Sequence, residues 1–273
     1  KDPVRGPGPQ ARAMVRGYVA GANEWLRTNK VTDPACAGAP YLKQDVTPLD
    51  LWYGVYLANL LASSGVFVKE IVDAAPPSLD DPGLPELPVA ADVDRDALLI
   101  ALGRDSDAPF GSNATAVGGD ATTTGKGMLL GNPHFPWRGR YHFTQQHLTI
   151  PGRYDVAVAS LIGSPVVNIG WNKHVAWSHT VSTAYRFTPY EYKTVGPGTT
   201  YLTDAGPQEL IRDVVTVRVP GGTVEEDLYR TPQGYVVDSP ATLMPWSPTS
   251  VWAIRDANAE HLRTIYTFLE MGK

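Results

Sequence analysis

Gly111-Ser112-Asn113-Ala114-Thr115-Ala116-Val117-Gly118, resumed by Gly127-Met128-Leu129-Leu130-Gly131-Asn132-Pro133-His134-Phe135-Pro136-Trp137, divides the chain into two unlike halves. Upstream, apolar residues recur at helical spacing. Met14, Val15, Tyr18, Val19, Ala22, Trp25 and Leu26 share one face of a helix expected over 9–29. Thr47 reads as an N-cap with Pro48 in the first turn of a second helix, which carries Leu51, Trp52, Val55, Tyr56, Asn59, Leu60 and Leu61. Shorter helices are expected at 66–74 and 92–103. Between them, the run from Ala75 to Pro88 holds too many breakers for regular structure. Residues 76–111 therefore read as an exposed connector, the kind of segment that tolerates cleavage.

Downstream of Gly111 the texture changes to short strands. They are expected at 112–118, 127–131, 141–149, 154–161, 166–171, 174–180, 186–195, 213–218, 225–230 and 249–255, punctuated by Gly and Pro. Leu262–Met271 returns to helix. Helices first and strands later indicate an α+β class.

Gly111–Ser112 is also where the chemistry concentrates. A serine hydroxyl is a poor nucleophile until a base takes its proton. Cutting this peptide would free the α-amine of Ser112, whose ordinary pKa of about 7.7–8.0 leaves it largely neutral near physiological pH. That amine can serve its own hydroxyl as base. Gly111, without a Cβ, tolerates the strained turn that an acyl shift through the bond requires. His134 lies in an aromatic, proline-framed turn, where the plain reading is a ring that satisfies the turn backbone. Phe135 and Trp137 suit either an apolar pocket wall or an ordinary core.

These residues, in this order, resemble the start of the β-subunit of the penicillin acylase family, in the branch of acyl-homoserine-lactone acylases and aculeacin-type lipopeptide acylases. More motifs agree: His147-Leu-Thr-Ile-Pro-Gly-Arg-Tyr-Asp155, Ala159-Ser-Leu-Ile-Gly-Ser-Pro165, Asn168-Ile-Gly170 and Val175-Ala-Trp-Ser-His-Thr-Val-Ser-Thr183. Val15-Arg-Gly-Tyr-Val-Ala-Gly-Ala-Asn23 resembles a helix of the family's α-subunit. The resemblance covers most of 10–260 and is weakest around 75–110.

The resemblance implies an N-terminal-nucleophile hydrolase with an αββα sandwich. Residues 1–75 would be a helical α-subunit segment, 76–111 a processed connector, and 112–273 the N-terminal part of the β-subunit. It implies self-cleavage at Gly111–Ser112, with Ser112 as nucleophile and base. His134 would orient the substrate or stabilise the freed amine. The backbone N–H of Val181 would be one oxyanion donor, and Phe135 and Trp137 would wall the substrate pocket. The second oxyanion donor, an asparagine, and a catalytic arginine are expected beyond residue 273, and part of the α-subunit upstream. The chain thus reads as a piece of a larger precursor whose missing α- and β-subunit segments are its partners. The implied reaction cleaves the amide between an acyl chain, favoured as fatty, and a polar amine: homoserine lactone, a cyclic lipopeptide nucleus or a β-lactam nucleus. A secreted or periplasmic location follows from the resemblance.

Composition bounds the alternatives. A length of 273 residues holds one large domain or two small ones with a real core. A net charge of −5 with no basic stripe argues against nucleic acid as a partner. No apolar run approaches the ~20 residues that span a bilayer. Cys36 cannot bridge within the chain or build a zinc site alone; it reads as a free thiol or, equally, as the resemblance implies, as half of a bridge to a missing segment nearer the N-terminus. His142 and His147, and likewise His174 and His179, differ by five, so neither pair shares one face of a strand. Neither a metal nor a cofactor is implied. Two other readings stay open. One is a serine hydrolase with a conventional triad, for which Ser164 is a candidate although no Gly-x-Ser-x-Gly elbow exists. The other is an unprocessed or inactive homologue that binds without catalysis.

Overall fold

A computed structural model describes residues 6–34, 36–39, 42, 45–60, 63–78, 94, 97–98, 111–139, 141–182, 184–219 and 221–273. The chain forms two compact units, each assembled from several segments. Lys1–Asn59, Pro109–Ser182 and Glu260–Lys273 make the first; Leu60–Ala108 and Thr183–Ala259 make the second. Most of the connector expected at 76–111, and most of the helix expected at 92–103, lie outside the described residues.

The first unit opens with helix α1, Pro9–Thr28, which begins on a proline whose missing N–H is no loss in a first turn. Its buried residues are Ala11, Val15 and Val19, a stripe at every fourth position. This face is narrower than the pattern suggests, since Trp25 is 51% exposed and lies off it. Helix α2, Pro48–Leu60, follows. Thr47 caps it as expected: its hydroxyl donates to the Asp50 carboxylate at 2.7 Å and accepts the Asp50 N–H at 3.3 Å, while the carboxylate takes the Thr47 N–H at 2.7 Å. Two orphan N–H groups are thereby satisfied reciprocally.

Strands β1 (Gly111–Val117) and β2 (Met128–His134) pair antiparallel. Strands β3 (Phe143–Ile150), β4 (Tyr154–Leu161), β5 (Ile169–Trp171) and β6 (Ala176–Trp177) form a four-stranded sheet in that order. The strands expected at 166–171 and 174–180 are therefore shorter than their sequence pattern. In the first, the Asn168 carboxamide oxygen accepts the Leu161 N–H at 3.0 Å, so a side chain satisfies backbone there. The core gathers Ala11, Val15, Tyr154, Val156, Val166, Val167 and Trp177 with Ile265 and Leu269 of the last helix, Thr264–Met271.

The second unit holds a 3₁₀ turn (Ser64–Phe67), a short helix α3 (Val68–Val72), strand β7 (Phe187–Lys193) and the hairpin β8 (Thr200–Thr203) with β9 (Gly206–Glu209). Then come β10 (Ile211–Val219), β11 (Gly222–Thr231), β12 (Gly234–Val237) and β13 (Ser250–Asp256), with sheet order β10-β11-β12-β13-β7. Phe67 meets Phe187 edge to face at 5.1 Å, and Trp246 meets Tyr229 at 5.2 Å. The last helix is numbered α4 below. Among the described residues every strand pair is antiparallel. The chain is α+β, as its sequence indicates.

Candidate active site

Ser112 sits at the start of β1, half-buried, and lines a cavity of about 420 Å³ in the first unit. The wall is predominantly apolar. Helix α2 contributes Leu51, Val55 and Ala58, the sheets contribute Pro133, Phe143 and Ile169, and α4 contributes Ile265 and Phe268. The Ser112 hydroxyl donates to the Gly111 carbonyl, so it rests beside the peptide expected to be cut.

Strand register decides what stands next to that peptide. Ser112 pairs with Pro133, Gly111 with His134, and Asn113 with Asn132. Alternate residues of a strand face opposite sides. Ser112 and Pro133 therefore share the cavity face, and Asn113, Asn132 and His134 share the other. There the carboxamide nitrogens of Asn113 and Asn132 meet His134 Nε2 at 3.3 and 3.0 Å. A carboxamide NH₂ only donates, so Nε2 accepts and the imidazole proton sits on Nδ1. A Cβ on Gly111 would stand 3.4 Å from that Nδ1. His134 thus flanks Gly111 rather than the Ser112 hydroxyl.

Phe135 lines the cavity and packs on Phe143 at 5.5 Å. Trp137 does not: it is 95% exposed, in the bend after Pro136, and belongs to no wall of this cavity. Phe135 is held on the wall by its contact with Phe143, whereas Trp137, two residues further past the end of β2, points into solvent.

Val181 lines the same cavity. Strand β6 stops at Trp177, so residues 178–181 leave the ladder, and among the described residues the Val181 N–H has no hydrogen-bond partner. Gly131 lets this segment approach β2, since a Cβ there would stand 2.7 Å from Ser178 Oγ. Ser164, the conventional-triad candidate, also lines the cavity, but its hydroxyl donates to the Val166 carbonyl at 2.9 Å, within its own loop.

The residues that sequence reasoning missed are polar and depend on pairing. Asn113 and Asn132 become partners of His134 only through the β1–β2 register. Asn59 accepts from the Thr264 hydroxyl at 2.6 Å and donates to the His261 carbonyl at 3.0 Å, fastening the end of α2 to the start of α4 at the cavity rim. His179 stands on the wall, with its Nδ1–H donating to the Asn168 carbonyl at 3.1 Å and its ring against Phe268 at 4.8 Å. The residue is exposed overall, but desolvation of its ring on the side of the wall and Phe268 pushes its pKa below the ordinary value, against a smaller opposing effect of the Asn168 bond. No local signal marks His179, because its importance comes from what surrounds it. His147, by contrast, meets Asp155 at 2.6 Å on an exposed face and holds that carboxyl below its usual pKa, chiefly through this hydrogen bond. Among the described residues, no group of three or more His, Cys, Asp or Glu side chains is placed to hold a metal ion. Cys36 is a free, half-buried thiol.

The family pattern described as penicillin amidase matches residues 4–273. Aculeacin-A acylase of Actinoplanes utahensis is 41% identical over 278 residues, an alignment that takes in 100% of this chain and 34% of that protein. Acyl-homoserine lactone acylase PvdQ of Pseudomonas savastanoi pv. phaseolicola is 36% identical over 281 residues, 97% of this chain and 34% of its own. A solved thermostable penicillin G acylase from Alcaligenes faecalis aligns with 59% of this chain and 28% of its own, at TM-score 0.39 and 17% identity. The chain spans about a third of the length of the curated relatives it matches.

Proposed function

The chain belongs to the penicillin amidase family, and from that premise we propose that the full protein is an amidohydrolase that removes an acyl chain from a polar amine. The observation that carries this reading is the placement of Ser112 at the start of β1, on the wall of a predominantly apolar cavity. In this reading the Gly111–Ser112 bond is cut first, and the liberated amine takes the Ser112 hydroxyl proton. The hydroxyl oxygen attacks the substrate carbonyl, the amine product leaves with a proton, and water releases the acid from the acyl-ester. The Val181 N–H is one donor to the oxyanion, a role supported by its freedom from the ladder. His134, with Asn113 and Asn132 holding its ring, steadies the freed amine.

The acyl group is the part that suits an apolar cavity, and each buried methylene contributes about 0.8 kcal/mol. A fatty acyl amide fits this wall, and the names of the relatives support homoserine lactone and cyclic lipopeptide amines as leaving groups. The same membership supports export from the cytoplasm, which cell fractionation tests. The deciding experiment is denaturing intact mass with N-terminal sequencing of the purified full-length protein. A chain beginning Ser-Asn-Ala-Thr-Ala-Val supports the reading. An intact Gly111–Ser112 bond in a protein that still hydrolyses amides would sink it.

A further inference from the structure

The cavity wall carries one imidazole whose hydrogen-bonding sense is set by its surroundings. His179 Nδ1 lies 3.1 Å from the Asn168 carbonyl oxygen. A carbonyl only accepts, so Nδ1 must carry the proton, and in the neutral ring Nε2 is then an acceptor. Among the described residues, Nε2 has no hydrogen-bond partner. The ring cannot turn over without leaving the Asn168 carbonyl unpaired, and Phe268 packs against it at 4.8 Å. Asn168 is itself tied down, its side chain bonded to the Leu161 N–H and its own N–H to the Ala159 carbonyl. The result is a fixed acceptor, on a histidine that is exposed in this structure, along a predominantly apolar wall that also carries Ser112.

Resting on the acylase reading above, we propose that His179 is a specificity-determining residue whose Nε2 accepts a hydrogen bond from a hydroxyl on the substrate's acyl chain. The site then favours a hydroxylated chain over the keto chain of equal length. A keto oxygen is itself only an acceptor and would face another acceptor across the contact. A hydroxyl can donate to Nε2, whereas two acceptors repel, and that difference is what discriminates. Protonation of His179 would turn Nε2 into a donor and exchange the preference. Two titratable side chains, His179 and Tyr141, face this cavity among the described residues, and neither a carboxylate nor a Lys or Arg does. The freed Ser112 amine titrates as well, but it acts on every substrate alike and cancels in a ratio of two.

The test uses the processed full-length enzyme and three homoserine-lactone amides: dodecanoyl, β-hydroxydodecanoyl and β-oxododecanoyl. Wild type is expected to prefer the β-hydroxy over the β-oxo substrate by roughly three- to tenfold in kcat/KM, the worth of one hydrogen bond. His179→Phe keeps the ring against Phe268 and removes the acceptor, so the preference should collapse to near one. Acidification should narrow the preference in wild type and leave it unmoved in His179→Phe. A preference that survives His179→Phe overturns the proposal, as does a uniform loss on all three substrates. A second measurement is independent of turnover: nitrogen chemical shifts of His179 during titration with β-hydroxydodecanoate. Movement of Nε2 with that acid but not with dodecanoate supports the acceptor role, and no movement overturns it. Should none of the amides be hydrolysed while Nε2 still responds, the acylase reading falls and the binding role of His179 stands.

Discussion

The two units each hold a concavity, and the contrast between them is instructive. The first encloses about 420 Å³ between α2, the strands around Ser112 and α4, with apolar side chains over most of its wall. The second has a cleft of about 560 Å³ lined by Asp73, Arg212, Glu225, Glu226, Asp227 and Tyr229 with three small or branched apolar residues. Its charges are partly spent on each other, since Arg212 meets Asp227 at 2.6 Å on an exposed face. Surface pairs of this kind contribute little in water. The larger space therefore has less to offer a ligand. An apolar wall gains free energy from any hydrocarbon that displaces water, and its few polar atoms then acquire discriminating power. Size does not mark the site; the company that Ser112 keeps does.

The largest effect should come from Ser112→Ala. Loss of both hydroxyl and self-cleavage should lower kcat/KM by about a thousandfold or more and leave the precursor uncut on intact mass. Retained cleavage would remove the first cavity's claim to be a processed active site.

Next in size is the chain-length profile. Within the first cavity, kcat/KM should rise about fourfold per methylene until the wall is filled. Ala58→Phe should move the optimum to shorter chains, while Glu226→Gln in the other cleft should leave the optimum where it is. A flat profile, or a shift caused by Glu226→Gln, would break the contrast.

Two glycines sharpen it on the side of stability. A Cβ on Gly170 would meet the Ala157 carbonyl oxygen at 2.2 Å, and one on Gly234 the Ile254 carbonyl oxygen at 1.9 Å. Both alanine variants should lose about 1–3 kcal/mol in urea unfolding, because a backbone oxygen cannot swing away. Gly170→Ala should also lower kcat/KM, since its neighbour Ile169 lines the cavity. Gly234→Ala should leave kcat/KM unchanged for the folded fraction.

The smallest expected effect is on pH dependence. The folded His179 pKa lies below the ordinary 6.5, so the unfolded chain binds the proton more readily. Its contribution to stability is present above the ordinary value and is lost as pH falls through the folded one. His179→Phe should accordingly flatten the fall in melting temperature on the acid side of 6.5. An unchanged slope would mean that the imidazole is not shielded by the wall.

Much of the fold was legible. The β4 strand runs 154–161 as its pattern indicates, and β1, β2, β3, β7 and β13 differ from expectation only at their ends. Three strands escaped. Gly206–Glu209 contains both Gly and Pro, residues that argue against strand, and takes its partner β8 with it; Gly234–Val237 is only four residues long. Each is a strand because a neighbour supplies the hydrogen bonds, which no local pattern records. The site divides in the same way. Ser112, Phe135 and Val181 stand on the cavity wall, whereas Trp137 is in solvent and His134 is on the opposite face of the strand pair.

The sequence by itself determined the longer helices and most of the strands, the start of α1 at Pro9, the Thr47 cap of α2, and the position of Ser112 at the head of a strand. Propensity, capping and periodicity are local, and they act within a few residues. Only the tertiary structure decided that Asn113 and Asn132 hold His134, that Asn59 joins α2 to α4, and that Asn168 turns His179 into an acceptor. Those bonds link residues brought together by register and packing, and a hydrogen bond's value depends on the water excluded around it.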